Sequence, residues 1–412
     1  MKIDNSKLDK HILLIISDLQ DAGYETYLVG GAIRDLLLNR TPKDFDISTS
    51  ATPEEVRAVF GRKRVRIIGK RFRLAHFYHG GEIVEISTFR GQPHESEDNV
   101  LPNDNHFGTA KEDAWRRDFT VNSLFYNPAT SEILDYTGNG LNDIKDKIVR
   151  VVGEPSERFE EDPVRMLRAL KLVGQYEFIM EKGTERALKD SLPLITQCSH
   201  SRLALEFEKI IRRPYSHSIF SAFEKYGFLA YYLPFLNQNW HTENGKILLD
   251  LLEERNKRII SGKYRDSISL AIAVASFPFI LEAFKEDQES DFKGWKHFKG
   301  IEKEMRKLIN MIFSPYHFPK RIVYSSISML MLQPSFFNMM RKNKVLTNSR
   351  YLHGRELMTI VNNFIWHDKD LEEFWPIHGI KRKDRYPSND KQRKNRYNSK
   401  GKYSKTEKTH SP

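Results

Sequence analysis

Cysteine is almost absent from this chain of 412 residues, which contains only Cys198. A single cysteine excludes an internal disulfide framework and a zinc site built from thiolates. The sequence also lacks a run of about 18 apolar residues, the length that a membrane-spanning helix needs. Its first residues lack the basic start, long apolar stretch and small-residue cleavage site of a signal peptide. We therefore expect a cytoplasmic protein without a membrane span.

The positive charge of the chain is concentrated at one end. The net charge is +11, but residues 381–412 hold twelve Lys and Arg against three acidic residues, which leaves only +2 on all the preceding residues. This segment is poor in large aliphatic side chains, so we expect it to be disordered. Its Lys, Arg and interspersed Tyr favour phosphate contacts and base stacking, which predicts an RNA-binding arm. The alternative is a solubilising tail without a dedicated partner.

The length and the apolar content of 39% are sufficient for two or three domains with proper cores. The first predicted element is a helix over residues 6–21, whose apolar face comprises Leu8, Ile12, Ile15, Ile16 and Leu19 and which stops near Gly23. Alternating or β-branched segments then predict strands at 27–29, 44–48, 64–69, 71–79 and 82–90, the last two joined by a turn at 79–81.

From about residue 153 the apolar residues recur at helical spacing as far as about residue 370. We expect Pro193, Pro234, Pro278 and Pro315 to separate these helices. The predicted fold class is therefore α+β. A head with a mixed sheet spans residues 1–150, a helical neck 151–215, a helical body 216–375 and a disordered basic tail 376–412.

The stretch YLVGGAIRDLLLNRTPKDFDIS, residues 27–48, combines two features that favour nucleotide chemistry. Gly30 and Gly31 lack a Cβ, so their backbone N–H groups can approach a phosphate at the start of a helix, and Arg34 adds a guanidinium. On a strand, Asp44 and Asp46 would project from the same face, as a pair of Mg²⁺ ions requires.

A second Asp-x-Asp pair provides an internal comparison. Asp368 and Asp370 have the same spacing, but the surrounding segment is helix-like and no glycine pair precedes it. We interpret this pair as a solvated helix face, since surface charge usually is.

A third carboxylate would complete a metal site, and two residues are candidates. Glu85 lies on a predicted strand, and Asp118 follows Arg116 and Arg117 and precedes the polar Asn122. Either acid could equally be a surface residue or a salt-bridge partner. Further along, Glu161 and Asp162 share a helix face with Arg165, which indicates either a surface ion pair or the recognition of a nucleobase edge.

Four motifs together resemble the class II nucleotidyltransferases of the polymerase-β superfamily, the family of bacterial poly(A) polymerases and CCA-adding tRNA nucleotidyltransferases. In order they are LVGGAIRDLLLNRTPKDFDIS, VEISTFRG, RRDFTVNSLFY and EDPVRMLRAL, and they lie between Tyr27 and Tyr176. The resemblance implies a polymerase-β-like head, a neck that recognises the nucleobase and a body that binds RNA.

The resemblance also implies residue roles. Asp44 and Asp46 would bind two Mg²⁺ ions, and Asp118 and Glu85 would be further active-site acids. The nucleotide would contact Gly30, Gly31, Arg34, Arg117, Asn122, Asp162, Arg165 and Arg168.

Within the family, the segment 67–77, the basic tail and the lack of a His-Asp phosphohydrolase motif favour a poly(A) polymerase, which adds AMP from ATP to RNA 3′ ends without a template. A CCA-adding enzyme is the alternative. Expected partners are RNA 3′ ends and ATP, with RNA-decay or RNA-chaperone proteins as further partners. No nucleophilic Ser or Cys is required, so Cys198 is predicted to be a bystander.

Overall fold

The computed structural model describes residues 2–69, 74–91, 107–286 and 292–378. The basic segment 381–412, for which an RNA-binding arm is predicted, lies outside these residues, as do positions 70–73 of the segment 67–77.

A mixed seven-stranded sheet organises the first third of the chain, in the strand order β3-β4-β5-β2-β1-β6-β7. Strands β2 and β5 run parallel, and the other neighbouring strands are antiparallel. The strands are β1 (Thr26–Val29), β2 (Asp46–Thr49), β3 (Val65–Ile68), β4 (Leu74–His79), β5 (Glu82–Thr88), β6 (Phe125–Asn127) and β7 (Glu132–Leu134). The predicted mixed sheet is confirmed.

Among the described residues, this sheet is accompanied by five helices: α1 (Lys10–Asp21), α2 (Gly31–Leu37), α3 (Pro53–Phe60), α4 (Ala110–Arg116) and α5 (Gly140–Lys145). The apolar stripe predicted for α1 is buried against the core, although the helix begins at Lys10 after a short 3-10 turn, Asn5–Lys7. Two further helices start with a capping box, in which Thr52 or Thr109 exchanges hydrogen bonds with the residue three positions on. These caps position the helices that flank β2 and precede Asp118.

From Pro155 to residue 378, the described residues are almost entirely helical. The α-helices of this part are α6 (Pro155–Glu161), α7 (Val164–Tyr176), α8 (Lys182–Ser191), α9 (His200–Ile211), α10 (Ser216–Lys225), α11 (Leu229–Tyr232), α12 (Pro234–Asn239), α13 (Glu243–Ile260), α14 (Ile268–Phe284), α15 (Ile301–Ile312), α16 (Lys320–Phe336), α17 (Lys342–Leu346), α18 (Tyr351–Val361) and α19 (Lys369–Phe374). Three 3-10 or π turns lie among the described residues of this part: Leu192–Gln197, Met339–Arg341 and Asn362–Trp366. A further 3-10 turn, Thr120–Asn122, lies between α4 and β6 of the head.

A small second sheet joins the two parts. Strands β8 (Ile148–Val149) and β9 (Ile179–Met180) pair in parallel on either side of α6 and α7. The hydrophobic core is continuous from α1 to α18, so the sheet and the helices pack as one body. The boundaries predicted at residues 150, 215 and 375 stay predictions.

Pro278 does not separate two helices as expected, because it lies inside α14. A proline within a helix costs about 3 kcal/mol, since it removes one backbone hydrogen bond. Nearly every residue of α14 is buried, and this packing outweighs the loss. In the described part of the chain, no helix is long and apolar enough to span a membrane.

Candidate active site

The turn between β1 and α2 has a backbone conformation that requires glycine. Gly30 has φ +74° and ψ −142°, a region that residues with a Cβ rarely adopt. A Cβ on Gly30 would lie 3.4 Å from Arg117 Nη1 and 3.8 Å from Asp46 Oδ2. The absent side chain therefore leaves open space between a guanidinium and a carboxylate.

Asp44 and Asp46, which follow α2, were both predicted to lie on a strand, but only Asp46 does. Strand β2 begins at Asp46, and Asp44 precedes the strand, with its side chain 72% exposed. Phe45 between them packs against the core, so the alternation of side chains persists beyond the ladder.

Negative charge accumulates around Asp46. Burial among protein atoms raises the pKa of Asp46 above its ordinary value, although the residue keeps a solvent-exposed edge. The charges of Glu85 and Asp44 raise this pKa further, and only Arg117 opposes them. The carboxylates thus outweigh the positive charge beside them, and this imbalance is what a bound cation would offset.

Glu85 and Asp118, the two candidates for a third carboxylate, approach Asp46 from different elements. Glu85 is the partner of Asp46 in the parallel β2–β5 pairing, so it projects from the same face of the sheet. Asp118 follows α4, and its Oδ1 accepts hydrogen bonds from Phe119 N (2.9 Å) and from Asn122 Nδ2 (3.1 Å). Among the residues described, no three His, Cys, Asp or Glu side chains are grouped closely enough to hold a metal. The choice between the two acids therefore stays open.

A chain of hydrogen bonds links Asp118 to the helical part. Asn122, held by Asp118, accepts a hydrogen bond from Arg34 Nη1 at 2.6 Å. Arg34 Nη2 donates to Tyr176 Oη at 2.7 Å and to Asp35 Oδ1 at 2.8 Å, and Tyr176 Oη donates to the same Asp35 oxygen. The Tyr176 ring also lies 4.3 Å from the Arg34 guanidinium carbon. The end of α7 is thereby fixed to α2.

A cavity of about 720 Å³ opens between the sheet and the helices at this point. Its walls are the α2–β2 segment, the turn at Asp118, one face of α7 and the loop between α9 and α10. Positive side chains exceed negative ones along it, with Arg34, Arg40, Lys43, Arg168, Lys171 and Arg213 facing Asp35, Asp44, Asp46 and Asp118. A pocket lined by carboxylates together with an excess of cations is suited to a metal-bound triphosphate.

Two family descriptions match the chain. "Poly A polymerase head domain" matches residues 26–150, and "Probable RNA and SrmB-binding site of polymerase A" matches residues 177–239. Poly(A) polymerase I of Escherichia coli O157:H7 is 33% identical over 376 residues, which cover 87% of this chain and 79% of the relative. The chain belongs to the class II nucleotidyltransferase family of poly(A) polymerases and CCA-adding enzymes.

Other members of this family match over different extents. The CCA-adding enzyme of Lactobacillus helveticus is 40% identical over 213 residues, which cover 51% of each chain. The solved structure of the Bacillus stearothermophilus CCA-adding enzyme in complex with CTP superposes with a TM-score of 0.63 at 24% identity, covering 88% of this chain and 81% of that one. At this identity the superposition shows only that the two proteins share a fold, namely a mixed-sheet head followed by a helical body.

The residues predicted from sequence are only partly assembled in the pocket of this nucleotidyltransferase. The pocket is lined by Gly31, Arg34, Asp44, Asp46, Asp118, Asn122 and Arg168. Gly30 and Arg117 do not line the pocket but lie beside Asp46, and Arg117 Nη2 donates to Asp113 Oδ2 (2.8 Å) and Ser48 Oγ (3.1 Å). Glu85 lies on the neighbouring strand and is 3.7 Å from His76 Nε2.

Asp162 and Arg165 were expected to share a face of one continuous helix, but the helix is interrupted at Asp162. Helix α6 ends at Glu161, and Asp162 is extended (φ −146°, ψ 92°) before α7 begins. Arg165 Nη1 donates to Glu161 Oε2 at 2.7 Å, whereas Asp162 Oδ2 accepts from Arg202 Nη2 at 2.8 Å. The Glu161–Arg165 ion pair, one of the two alternatives, is present but joins α6 to α7. The nucleobase role of Asp162 and Arg165 stays a prediction.

Several pocket residues were not predicted from sequence. Lys171 and Gln175 share a face of α7 with Arg168, so the helical spacing contained a signal for them. Arg40 lies within the motif 27–48, and its Nη1 donates to the carbonyl of Gln175 at 3.1 Å. Arg213 and Tyr215 carried no local signal, because the fold brings their loop to the pocket from the far side of α9.

In the second Asp-x-Asp pair, Asp368 and Asp370, the first aspartate has a structural role. Asp368 is the N-cap of α19, and its Oδ1 accepts from the backbone N–H of Asp370 (3.0 Å) and of Leu371 (3.2 Å). Asp370 is exposed in the first turn of that helix. The expectation of a helix location is correct, and capping rather than plain solvation explains Asp368.

The donor set around Asp46 fits a divalent cation. Two carboxylates that face an open cavity, with excess negative charge between them, match the way Mg²⁺ is held through one or two carboxylates together with substrate phosphates. Gly30 keeps the approach to Asp46 Oδ2 free.

Proposed function

We propose that this nucleotidyltransferase adds AMP from ATP to RNA 3′ ends without a template, releasing pyrophosphate. The observation that supports poly(A) addition is the extent of similarity. The match to poly(A) polymerase I covers 87% of the chain, helical body included, whereas the match to the L. helveticus CCA-adding enzyme covers 51%. Similarity that extends over the body is what a shared type of RNA substrate would require.

In this mechanism Asp44 and Asp46 would hold the metal ions. Bound divalent ions supply the charge that lowers the pKa of the attacking 3′-hydroxyl and neutralises the triphosphate. The protein positions the reactants, which is the main demand of phosphoryl transfer. Gly30 leaves room for the phosphates, and Arg117 behind it places a guanidinium beside them.

The second half of the mechanism is orientation of the nucleotide. Asp118 and Asn122 hold Arg34 so that its guanidinium lines the pocket without swinging away. Arg168 and Lys171 project from the facing side of α7 toward the same space. The Lys171 ammonium lies 3.2 Å from Glu206 Oε2; burial lowers its pKa, while Glu206 raises it. These cations would contact the triphosphate or base of the incoming ATP.

CCA addition to tRNA is the second candidate, favoured by the 40% identity to the L. helveticus enzyme. One assay distinguishes the two functions. The protein with Mg²⁺ receives ATP alone, CTP alone or both, on an oligo(A) primer and on tRNA that lacks its 3′ terminus. Long tails from ATP alone on oligo(A) are the expected result. Completion of tRNA with CTP and ATP, without extension of oligo(A), would overturn the proposal in favour of CCA addition.

The basic segment is proposed to strengthen RNA binding. Truncation after Ile380 removes a net charge of +9, so we expect RNA affinity to fall and its salt dependence to flatten, because fewer counterions are released. Fluorescence anisotropy of a labelled RNA at several salt concentrations measures both effects. An unchanged slope of log Kd against log salt would show that the segment is only a solubiliser.

A further inference from the structure

Arg40 lines the active-site pocket, but the mechanism above gives it no role. Its place follows from the way in which α2 ends. Asn39 has φ +55°, in the left-handed region, and its N–H donates to the carbonyl of Leu36 at 3.0 Å. The N–H of Arg40 donates to the carbonyl of Asp35 at 2.8 Å. These two hydrogen bonds form a Schellman motif, so the backbone of Arg40 is fixed where the chain leaves α2.

The Arg40 side chain lies over two tyrosine rings. Its guanidinium carbon is 4.6 Å from the ring centroid of Tyr176 and 5.8 Å from that of Tyr215. Arg34 lies over the same Tyr176 ring at 4.3 Å. A guanidinium is attracted to the face of an aromatic ring, which leaves its charge in place. Arginine and tyrosine thus alternate along the pocket wall, from α2 through the end of α7 to the loop before α10.

The Tyr176 ring is itself held in place by its hydroxyl group. Burial raises the pKa of Tyr176 to about 12, so the hydroxyl stays protonated at neutral pH. It donates to Asp35 Oδ1 at 2.8 Å and accepts from Arg34 Nη2 at 2.7 Å. Tyr176 is therefore a fixed support for both guanidinium groups.

The charges of Arg34 and Arg40 are balanced differently. Arg34 forms an ion pair with Asp35 at 2.8 Å. Arg40 is half-buried, and its Nη1 donates to the uncharged carbonyl of Gln175 at 3.1 Å. Over the ranges that the structure describes, Arg40 has no ion pair with a carboxylate. Because a partly buried charge without a counterion costs free energy, an anion in the pocket would be favoured beside Arg40.

We propose that Arg40 binds the triphosphate of the incoming nucleotide and that Tyr176 is the positioning residue that holds Arg40 and Arg34 for this contact. The proposal rests on the proposed function, which places ATP in this pocket. A planar guanidinium suits phosphate, because it can donate two parallel hydrogen bonds. A phosphate of the RNA primer offers the same chemistry. The triphosphate is favoured because the α2–β2 segment that carries Arg40 also carries the proposed metal ligands Asp44 and Asp46.

Calorimetric titration with inorganic tripolyphosphate and Mg²⁺ tests the contact without the nucleoside. Arg40→Gln should raise Kd about tenfold or more, as expected for lost hydrogen bonds between charged groups. Tyr176→Leu removes both ring contacts and should raise Kd about tenfold. Tyr176→Phe keeps the ring, so its Kd should rise about threefold or less. KM for ATP should follow the same order.

The double variant Arg40→Gln/Tyr176→Leu separates positioning from simple packing. If Tyr176 acts through Arg40, the rise in tripolyphosphate Kd should be well below the product of the two single effects. Single effects that multiply in full would overturn the positioning role of Tyr176.

The matched controls are Arg57→Gln, at a half-buried arginine of α3 outside the pocket, and Tyr351→Leu, at a buried tyrosine of α18. Both should leave the tripolyphosphate Kd within about twofold, even where Tyr351→Leu lowers the melting temperature as much as Tyr176→Leu does. An unchanged Kd in Arg40→Gln, or an equal rise in the controls, would overturn the proposal.

Fluorescence anisotropy with oligo(A) in the absence of nucleotide distinguishes the two sources of phosphate. The primer Kd of Arg40→Gln should stay within about twofold of wild type. A rise in primer Kd with an unchanged tripolyphosphate Kd would assign Arg40 to the RNA and overturn the proposal. Failure of wild type to add AMP from ATP would instead refute the proposed function, whereas the tripolyphosphate titration needs no turnover and would still decide the role of Arg40.

Discussion

Replacement of Asp46 by asparagine is expected to slow nucleotide addition by at least about 10³-fold while RNA affinity changes by less than about twofold. A factor of 10³ corresponds to about 4 kcal/mol of transition-state stabilisation, within the range that metal coordination provides. Asparagine preserves the shape of the side chain but removes the charge that faces Glu85, Asp44 and the open pocket. Single-turnover extension of a labelled oligo(A) primer with Mg²⁺ measures the loss, and the Asp44→Asn variant should show a similar one.

The Asp370→Asn variant is the matched control, because it makes the same change in the other Asp-x-Asp pair. Asp370 is exposed in the first turn of α19, so its loss should cost only a few tenths of a kcal/mol of stability and leave the rate within about twofold. If both Asp44→Asn and Asp46→Asn kept more than a tenth of the wild-type rate, the metal-binding role of the pair would be wrong.

Thermal unfolding in metal-free buffer shows whether the Asp46→Asn protein is intact. Burial and the neighbouring carboxylates raise the pKa of Asp46 in the folded state, so the folded protein binds more protons than the unfolded chain between the ordinary and the raised pKa. Stability therefore falls as pH rises through that interval, and ionised Asp46 weakens the fold at neutral pH. Asparagine removes this penalty, and its melting temperature should equal or exceed that of wild type.

Features that depend on local pattern were predictable from the sequence. The alternating segments gave the central strands of the sheet, and the apolar stripe from Leu8 to Leu19 gave the buried face of α1. Gly30 was predictable as a strand-to-helix turn, because glycine tolerates positive φ, and only the Asp pair that follows it indicated more than a plain turn. Asp44 and Asp46 were distinguished from Asp368 and Asp370 by this local context.

Features that depend on tertiary contacts were not predictable. Arg34 donates a hydrogen bond to Tyr176, which lies 142 residues further along the chain, and no local sequence pattern near either residue predicts this contact. The same holds for Arg213 and Tyr215. Pro278 was misread because the cost of a proline in a helix is local, whereas the burial that offsets it is not. The break at Asp162 was missed because the apolar spacing continues across it from Phe159 to Met166.

Substitution of Gly30 by alanine is expected to reduce kcat/KM for ATP about 100-fold. The backbone at Gly30 (φ +74°, ψ −142°) excludes alanine without strain of about 1–3 kcal/mol. The new methyl group would also occupy the space 3.4 Å from Arg117 Nη1 and 3.8 Å from Asp46 Oδ2. Misplacement of reacting groups by about 1 Å is sufficient for a loss of this size. Steady-state extension of oligo(A) at varied ATP measures it.

A Gly61→Ala control separates the effect of backbone strain in Gly30→Ala from the effect of filling the space beside Asp46. It has a similar conformation, φ +84° and ψ 154°, at the end of α3, but a Cβ there would meet no atom within 4 Å. Gly61→Ala should therefore destabilise the protein about as much as Gly30→Ala and yet leave kcat/KM within about twofold. Equal losses of activity in the two variants would mean that global destabilisation explains both. A selective loss at Gly30 would instead assign the effect to the space between Asp46 and Arg117, where the nucleotide phosphates are proposed to lie.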